Sequence, residues 1–260
     1  MLFFIVSLLA STVGAICGIG GGVIIKPVLD LLRLETVSAI SFLSACTVLS
    51  MSCYSVGRSM LAGERRVALR TGTPLALGAA VGGLLGKALF TFIRGLFANQ
   101  NTVGAVQAVC LALITLGTLL YTVNKSRLST KNVKHPVACV AIGLALGLMS
   151  SFLGIGGGPI NLVVLFYFFG MDTRTAAANS LYIILFSQLA SVLSSIVTGA
   201  VPAFRWTTLL LMVAGGIGGG IAGRALNRRI DVKTVDRLFI GLMVLIIGIS
   251  VYNVWQYAGG

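Results

Sequence analysis

Acidic side chains are scarce in this chain: six among 260 residues, against 19 lysines and arginines and a single histidine. They are Asp30, Glu35, Glu64, Asp172, Asp231 and Asp236, and each falls in a loop or at the end of an apolar run. No apolar run carries a carboxylate at its centre, which argues against a cation pathway or a carboxylate proton relay. His135 stands in a basic loop. No HExxH, Ser/His pair or carboxylate pair lies within the apolar runs, so the chain reads as no enzyme, with no catalytic residue and no metal site. GxxxxGK[ST] is missing too, which removes the signature of a nucleotide-driven pump. None of the five cysteines forms a CxxC pair, and all lie in apolar runs; small buried hydrophobes describe them better than disulfides or ligands. No cofactor is implied.

Charge of either sign is thin as well. Charged residues make up 10% of the chain, where a soluble domain carries about 25%. Hydrophobic residues make up 57% and the mean hydropathy is +1.02. Several apolar runs reach the roughly 20 residues that a membrane-spanning helix needs, and the short alternating segments of a transmembrane β-barrel are not seen. The expected fold is an all-α polytopic membrane protein. The first apolar run begins at Met1 without a basic leader or a small-residue cleavage site, so it reads as structure and not as a removed signal. The net charge of +13 would raise nucleic acid as a partner of a soluble chain. Here the cations sit mainly in short loops, as the positive-inside rule explains, and no aromatic-interleaved basic domain accompanies them. The partners expected are the lipid bilayer and a small solute, with no nucleic acid and with a homodimer as the open oligomeric option.

Hydropathy marks eight segments: Leu2–Leu32, Val37–Val56, Thr71–Ile93, Val103–Val123, Val137–Phe169, Thr175–Val197, Trp206–Ala222 and Leu238–Trp255. The first and fifth are interrupted by the same five residues, GIGGG, at 18–22 and at 154–158. Two further landmarks follow in the same order in both halves. GGLLGKAL (Gly82 to Leu89) matches GGIAGRAL (Gly219 to Leu226), and LGTLLYTV (Leu116 to Val123) matches IGISVYNV (Ile247 to Val254). A repeat of this size in a membrane protein signals a pseudo-symmetric transporter or channel. The halves are taken as 1–124 and 137–260, joined by a basic linker at 125–136.

Charge chooses between parallel and inverted halves. If both GIGGG segments cross the membrane, the alternative is eight full spans in parallel repeats, and basic residues divide almost evenly between the faces. If each GIGGG segment is a hairpin that turns back at mid-depth, each half is a hairpin plus three spans, and the halves are inverted. The loops with Arg58, Arg65, Arg66 and Arg70, with Lys125, Arg127, Lys131 and Lys134, and with Arg224, Arg228, Arg229, Lys233 and Arg237 then share one face with Arg174. The other face keeps only Lys26, Arg33, Lys87, Arg94 and Arg205. That asymmetry is what the positive-inside rule expects, so the inverted arrangement is preferred. It makes 58–70, 125–134 and 224–237 cytoplasmic loops of a multi-pass protein of the cell (inner) membrane. Lys26 is expected to snorkel to the outer surface.

Backbone that leaves the helix at membrane depth needs protein or a water-filled cavity around it. Two such breaks related by pseudo-symmetry point to a midplane binding site. Glycine lets backbone N–H groups approach a ligand, and the helix that follows each break turns its positive dipole end toward it, with Pro159 suited to a first helical turn. With no carboxylate nearby, this suits a small anion. The candidate binding residues are Gly18, Ile19, Gly20, Gly21, Gly22, Gly154, Ile155, Gly156, Gly157 and Gly158, together with Ser41, Asn161, Asn179 and Ser180 from the flanking segments. For single hydroxyls the competing explanation is a bond to the helix's own carbonyls. For Asn161 and Asn179 it is a helix–helix hydrogen bond, and for Gly82, Gly83, Gly86 and Gly215–Gly220 it is close helix packing.

The paired GIGGG elements, the prolines that follow (Pro27 and Pro159), the stretches VSAISFLSA and TAAANSLYI, and the late GGxxGxxL element together resemble the TauE/SafE family of membrane transporters, the sulfite exporters. The likeness runs over nearly the whole chain. It implies transport of sulfur-containing anions such as sulfite, sulfonates and related oxyanions. The function expected is a secondary transporter of such an anion, working by alternating access between the halves, with an anion channel of the same substrate class as the alternative.

Overall fold

Both GIGGG elements end the helix that leads into them. Gly18 (φ 75°) and Gly154 (φ 65°) take left-handed conformations, and Gly20, Gly156 and Gly157 are also at positive φ. Non-glycine residues enter this region at a cost, so helix cannot propagate through either element.

The computed structural model describes residues 1–32, 34–64, 67–96, 100–125 and 129–258. Arg33, Arg65, Arg66 and Arg127, counted above in the loop charges, lie outside the described residues. Within the described residues the chain is all helical, in the order α1 (Leu2–Cys17), α2 (Gly22–Leu32), α3 (Val37–Leu61), α4 (Leu69–Leu96), α5 (Gln100–Asn124), α6 (Pro136–Leu153), α7 (Pro159–Phe169), α8 (Thr173–Val197), α9 (Trp206–Asn227) and α10 (Val232–Ala258). Seven of these helices are long and apolar enough to cross a membrane. Local signals set the ends: Thr36 caps α3 through the Ala39 N–H at 3.2 Å, and Asp172 caps α8 through the N–H groups of Arg174 and Thr175. Pro136 and Pro159 open α6 and α7, where the missing N–H is harmless.

α6 and α7 form a hairpin whose open ends meet. The N–H of Lys131 donates to the Tyr167 carbonyl (2.7 Å) and that of Val133 to the Phe168 carbonyl (2.8 Å). The strand of chain entering α6 is therefore tied to the end of α7, and the alternative of eight full spans is overturned. The arms are unequal. α7, at 11 residues, is about 16 Å long and cannot cross a core about 30 Å thick, whereas α6, at 18 residues, has the length of a span. α1 and α2 make the corresponding hairpin at the opposite end. α1 runs parallel to α9, with Gly215, Gly219 and Gly223 lying on the carbonyls of Phe4, Leu8 and Thr12 in that order. α2 leads away from the break toward the last turns of α10, where Asn253 Nδ2 donates to the Pro27 carbonyl (3.0 Å).

The same packing recurs between α4 and α6. Gly78, Gly82 and Gly86 lie on the carbonyls of Val140, Leu144 and Leu148, while Gly143 and Gly147 lie on those of Leu75 and Ala79. Glycine at every fourth position brings two backbones together without a side chain between them, a mode suited to lipid surroundings where burying apolar surface gains little. Contacts are exchanged between the two halves of the chain: α4 packs on α6 and α8, and α9 packs on α1 and α3. α3 and α8 run through the centre, the most buried of the long helices.

Three basic loops gather at one end. Glu64 pairs with Arg224 (2.8 Å) and Arg228 (2.9 Å), and Lys125 pairs with Asp236 (2.7 Å). Arg174 joins them through Nη2 to the Ile230 carbonyl (3.0 Å). We call this the basic end.

Two sequence expectations change here. Lys26 does not snorkel: it is 3% exposed and paired with Asp30 at 2.8 Å across one turn of α2. Asp30, although near the end of an apolar run, is accordingly a buried carboxylate inside a half-length helix. Cys53 is exposed, unlike the buried Cys17 and Cys139.

Candidate functional site

The two breaks meet. A Cβ placed on Gly22 would overlap the carbonyl of Ile155, one on Gly157 would lie 3.1 Å from the carbonyl of Ile19, and one on Gly20 would lie 3.2 Å from that of Gly156. Val48 from α3 and Ile184 from α8 close over this crossing, and Ile19 and Ile155 are fully or almost fully buried. The glycine elements thus build a thin septum at the centre of the molecule, between the middle turns of α3 and α8.

A cavity lies on each side. The one at the basic end offers about 80 Å³ and is lined by Ala15, Ser55, Val56, Ser59, Glu64, Val67, Arg174, Ala177, Ala178, Leu181, Arg224, Asn227 and Arg228. Among the described residues, three guanidiniums face one carboxylate there. The buried Nε of Arg174 has no hydrogen-bond partner among the described residues, and Asn227 Nδ2 closes the wall onto the Ile16 carbonyl (2.6 Å). The second cavity, at the far end of α3 and α8, is lined by Ser41, Phe42, Ala45, Lys87, Phe90, Gln107, Ser151, Gly154, Gln188, Ser191, Val192 and Ser195. It offers only about 10 Å³, close to the least that admits one water. Its wall is polar: Ser41 Oγ, Ser151 Oγ and Gln107 Oε1 are buried without hydrogen-bond partners among the described residues. Lys87 is the one cation in its lining among the described residues, 5.4 Å from the Phe90 ring.

Much of the two linings corresponds by position. Ala15 and Ser151, Ser55 and Ser191, Val56 and Val192, Ser59 and Ser195, Ala177 and Ser41, and Leu181 and Ala45 stand at the spacing of the two GIGGG elements, and Arg224 and Lys87 at that of the two GGxxG elements. One cavity is roomy and its counterpart is shut.

Of the residues singled out from the sequence, the structure brings the two glycine elements, 18–22 and 154–158, together with Ser41, which touches Gly154 in the closed cavity. Gly20, Gly22 and Gly157 lie against the other break, whereas Gly18, Gly21, Gly154 and Gly156 lie against Ala177, Ser11, Ser41 and Val48, and of these glycines Gly154 lines a cavity. Asn161 is 1% exposed on the first turn of α7, and its Oδ1 has no partner among the described residues. Ser180 is fully buried, and its Oγ has no partner among the described residues. Asn179 is engaged in holding the fold: its Oδ1 accepts from the Ala68 N–H (3.1 Å) at the start of α4 and its Nδ2 donates to the Thr175 carbonyl (2.8 Å). The hydroxyls of Thr47 and Ser50 bond carbonyls of their own helix. Arg224, Lys87, Glu64, Gln107 and Ser151 are cavity residues that the sequence reading passed over. The matched GGLLGKAL and GGIAGRAL elements carried the signal for the first two, since both hold a cation at the same place.

These roles predict a split between the two asparagines. Asn179→Leu strands the Ala68 N–H and should lower the stability of purified protein by about 1–3 kcal/mol, read as a fall in Tm. Asn161→Leu removes an amide oxygen that nothing satisfies and should hold or raise Tm.

Hairpins that turn back within an apolar bundle, meet at bare backbone and leave a polar cavity on either side define a membrane transport protein. The chain belongs to the TauE/SafE family: the family model described as "Sulfite exporter TauE/SafE" matches residues 3–251. It is 26% identical to "Probable membrane transporter protein YunE" of Bacillus subtilis, over 95% of both chains. It is also 26% identical to a "Probable membrane transporter protein" of Haemophilus influenzae, over 76% of this chain and 74% of that one. A 116-residue stretch is 31% identical to "Probable membrane transporter protein MamO" of Magnetospirillum gryphiswaldense, 43% of this chain but 18% of the relative. No solved structure matches the chain.

Proposed function

We propose that this transporter is a secondary carrier of a small sulfur-containing anion, sulfite or an organosulfonate, built from inverted repeats at 1–124 and 137–260 that alternate in opening their cavities. The observation that carries the reading is the pair of matched cavities, one open and one shut, separated by the glycine septum, each with a cation at the equivalent position. A carrier whose halves exchange conformations needs such a pair; a channel needs a continuous path, and Val48, Ile184 and the two breaks interrupt one. In this reading the substrate lies against the septum, near the break amides, Ser41, Asn161 and Ser180, and Arg224 and Lys87 receive its charge from either side. The basic end, with the loops 58–70, 125–134 and 224–237, faces the cytoplasm in accord with the positive-inside rule, and the protein lies in the cell (inner) membrane. The apolar helix surfaces outside the core meet lipid.

Proteoliposomes preloaded with unlabelled anion test this. Sulfite, taurine, sulfoacetate, thiosulfate and sulfate are offered in turn, and saturable counterflow of at least one sulfur anion is expected. Unitary currents in planar bilayers would support a channel instead, and uptake of a cation with none of the five anions carried would end the reading.

A further inference from the structure

Two helices leave the centre of the molecule through the same turn. At the end of α3, Ala62 N–H donates to the Arg58 carbonyl, Gly63 takes φ 65°, and Glu64 N–H donates to the Ser59 carbonyl (3.1 Å). At the end of α8, Thr198 N–H donates to the Ser194 carbonyl, Gly199 takes φ 63°, and Ala200 N–H donates to the Ser195 carbonyl (3.0 Å). The backbone is the same, and the spacing is that of the GIGGG elements. The turn therefore does not need a carboxylate, and one copy lacks it. Glu64 is present for what its side chain touches.

It touches the cations of the open cavity. Oε1 accepts from Nη2 of Arg224 (2.8 Å) and from Nη2 of Arg228 (2.9 Å), while Oε2 accepts from Ser59 Oγ (3.2 Å). Arg224 is further oriented by Nη1 to the Ser55 carbonyl (3.3 Å). A fork of two guanidiniums and a hydroxyl is the donor set that holds an oxyanion, and charge-assisted bonds of this kind are the strong ones. The shut cavity has Lys87 and Ser195 at the places of Arg224 and Ser59, with no carboxylate in its lining.

We propose that Glu64 is a built-in competitor of the substrate: its carboxylate occupies the Arg224–Arg228 fork while the basic-end cavity is empty, and an oxyanion arriving from that side binds by displacing it. The two faces of the carrier then differ in affinity, the basic end being the weaker. This rests on the transport reading above. A site that keeps its cations paired between cycles also avoids leaving the part-buried Arg224 guanidinium without a counter-charge, which is costly.

The test is sulfite uptake by full-length protein in proteoliposomes of defined orientation, with KM measured separately from each face. Glu64→Gln and Glu64→Ala should lower KM at the basic end about tenfold and leave the other face unchanged. Ala200→Glu, which writes the carboxylate into the copy of the turn that lacks it, should raise KM about tenfold at the opposite face only. Unchanged or raised KM at the basic end in both Glu64 variants, at wild-type Tm, would show a plain structural tie and overturn the proposal. If those variants fail to fold, Ala200→Glu decides alone, and an unaltered KM there overturns it. Wild-type protein that carries none of the anions removes the transport reading and this inference with it; wild-type transport with insensitive KM values removes only the role of Glu64.

Discussion

Gly22→Ala is expected to abolish transport and to cost at least about 3 kcal/mol in stability, at the upper end of overpacking changes. The new methyl group would overlap the Ile155 carbonyl and approach Ile155 C at 2.7 Å and Ser44 Oγ at 2.9 Å. Two of those atoms are backbone of the other break, and this break is itself pinned: a Cβ on Gly21 would sit 3.0 Å from Ser11 Cα. Neither side can yield without moving a whole hairpin, because packed interiors transmit strain instead of absorbing it. Gly57→Ala is the control. That helical glycine meets nothing within 4 Å, so alanine there should be neutral or should stabilise by about 0.5–1 kcal/mol through helix propensity. Heating purified protein and following the monodisperse fraction, alongside uptake, separates the two. Gly22→Ala protein with wild-type Tm and uptake would show that the septum is not the close crossing described.

Arg224→Gln should raise the KM for sulfite at the basic end by roughly tenfold or more, since losing a hydrogen bond to a charged group in a part-buried site costs about 1.5–3 kcal/mol. Arg224 is 19% exposed by side chain and holds Glu64 and the end of α3 together. Its loss removes a donor for the substrate and takes away one of the cations that offset the Glu64 carboxylate, so the cavity turns less attractive to any anion. Arg224→Lys should recover part of the effect, because lysine is what stands at the matching place, Lys87, in the shut cavity. Recovery should be incomplete: an ammonium cannot present the guanidinium's planar fork. Lys87→Gln should shift KM at the opposite face. Equal shifts at both faces for each variant would argue for a single central cation site and against two cavities used in turn.

The changes in expectation have a common cause. Lys26 and Asp30 read as residues at the end of an apolar run, and a lysine there ordinarily reaches water. Whether it can depends on what surrounds α2, and α2 is enclosed by α3, α10 and α1. Asn179 carried no mark distinguishing a structural bond from a ligand contact; its partner, the Ala68 N–H, is 111 positions away. The glycines were legible as breaks, because their conformational freedom is a property of each residue. That the two breaks would lean on one another, with the hollows beside them and not between them, was not legible.

What the sequence determined by itself was the class of molecule and its periodicity. Hydrophobic runs of membrane length, loops rich in cations, and glycine too poor a helix former to be carried through are properties of short stretches of chain, and they required helices, spans and two interruptions whatever the packing. Tertiary structure decided which side chains share a cavity. Arg224, Glu64 and Arg174 come from three segments far apart in the chain, brought together because the helices of one half pack on those of the other through glycine stripes. Contact between distant segments is set by how surfaces fit in space, and no local pattern encodes that.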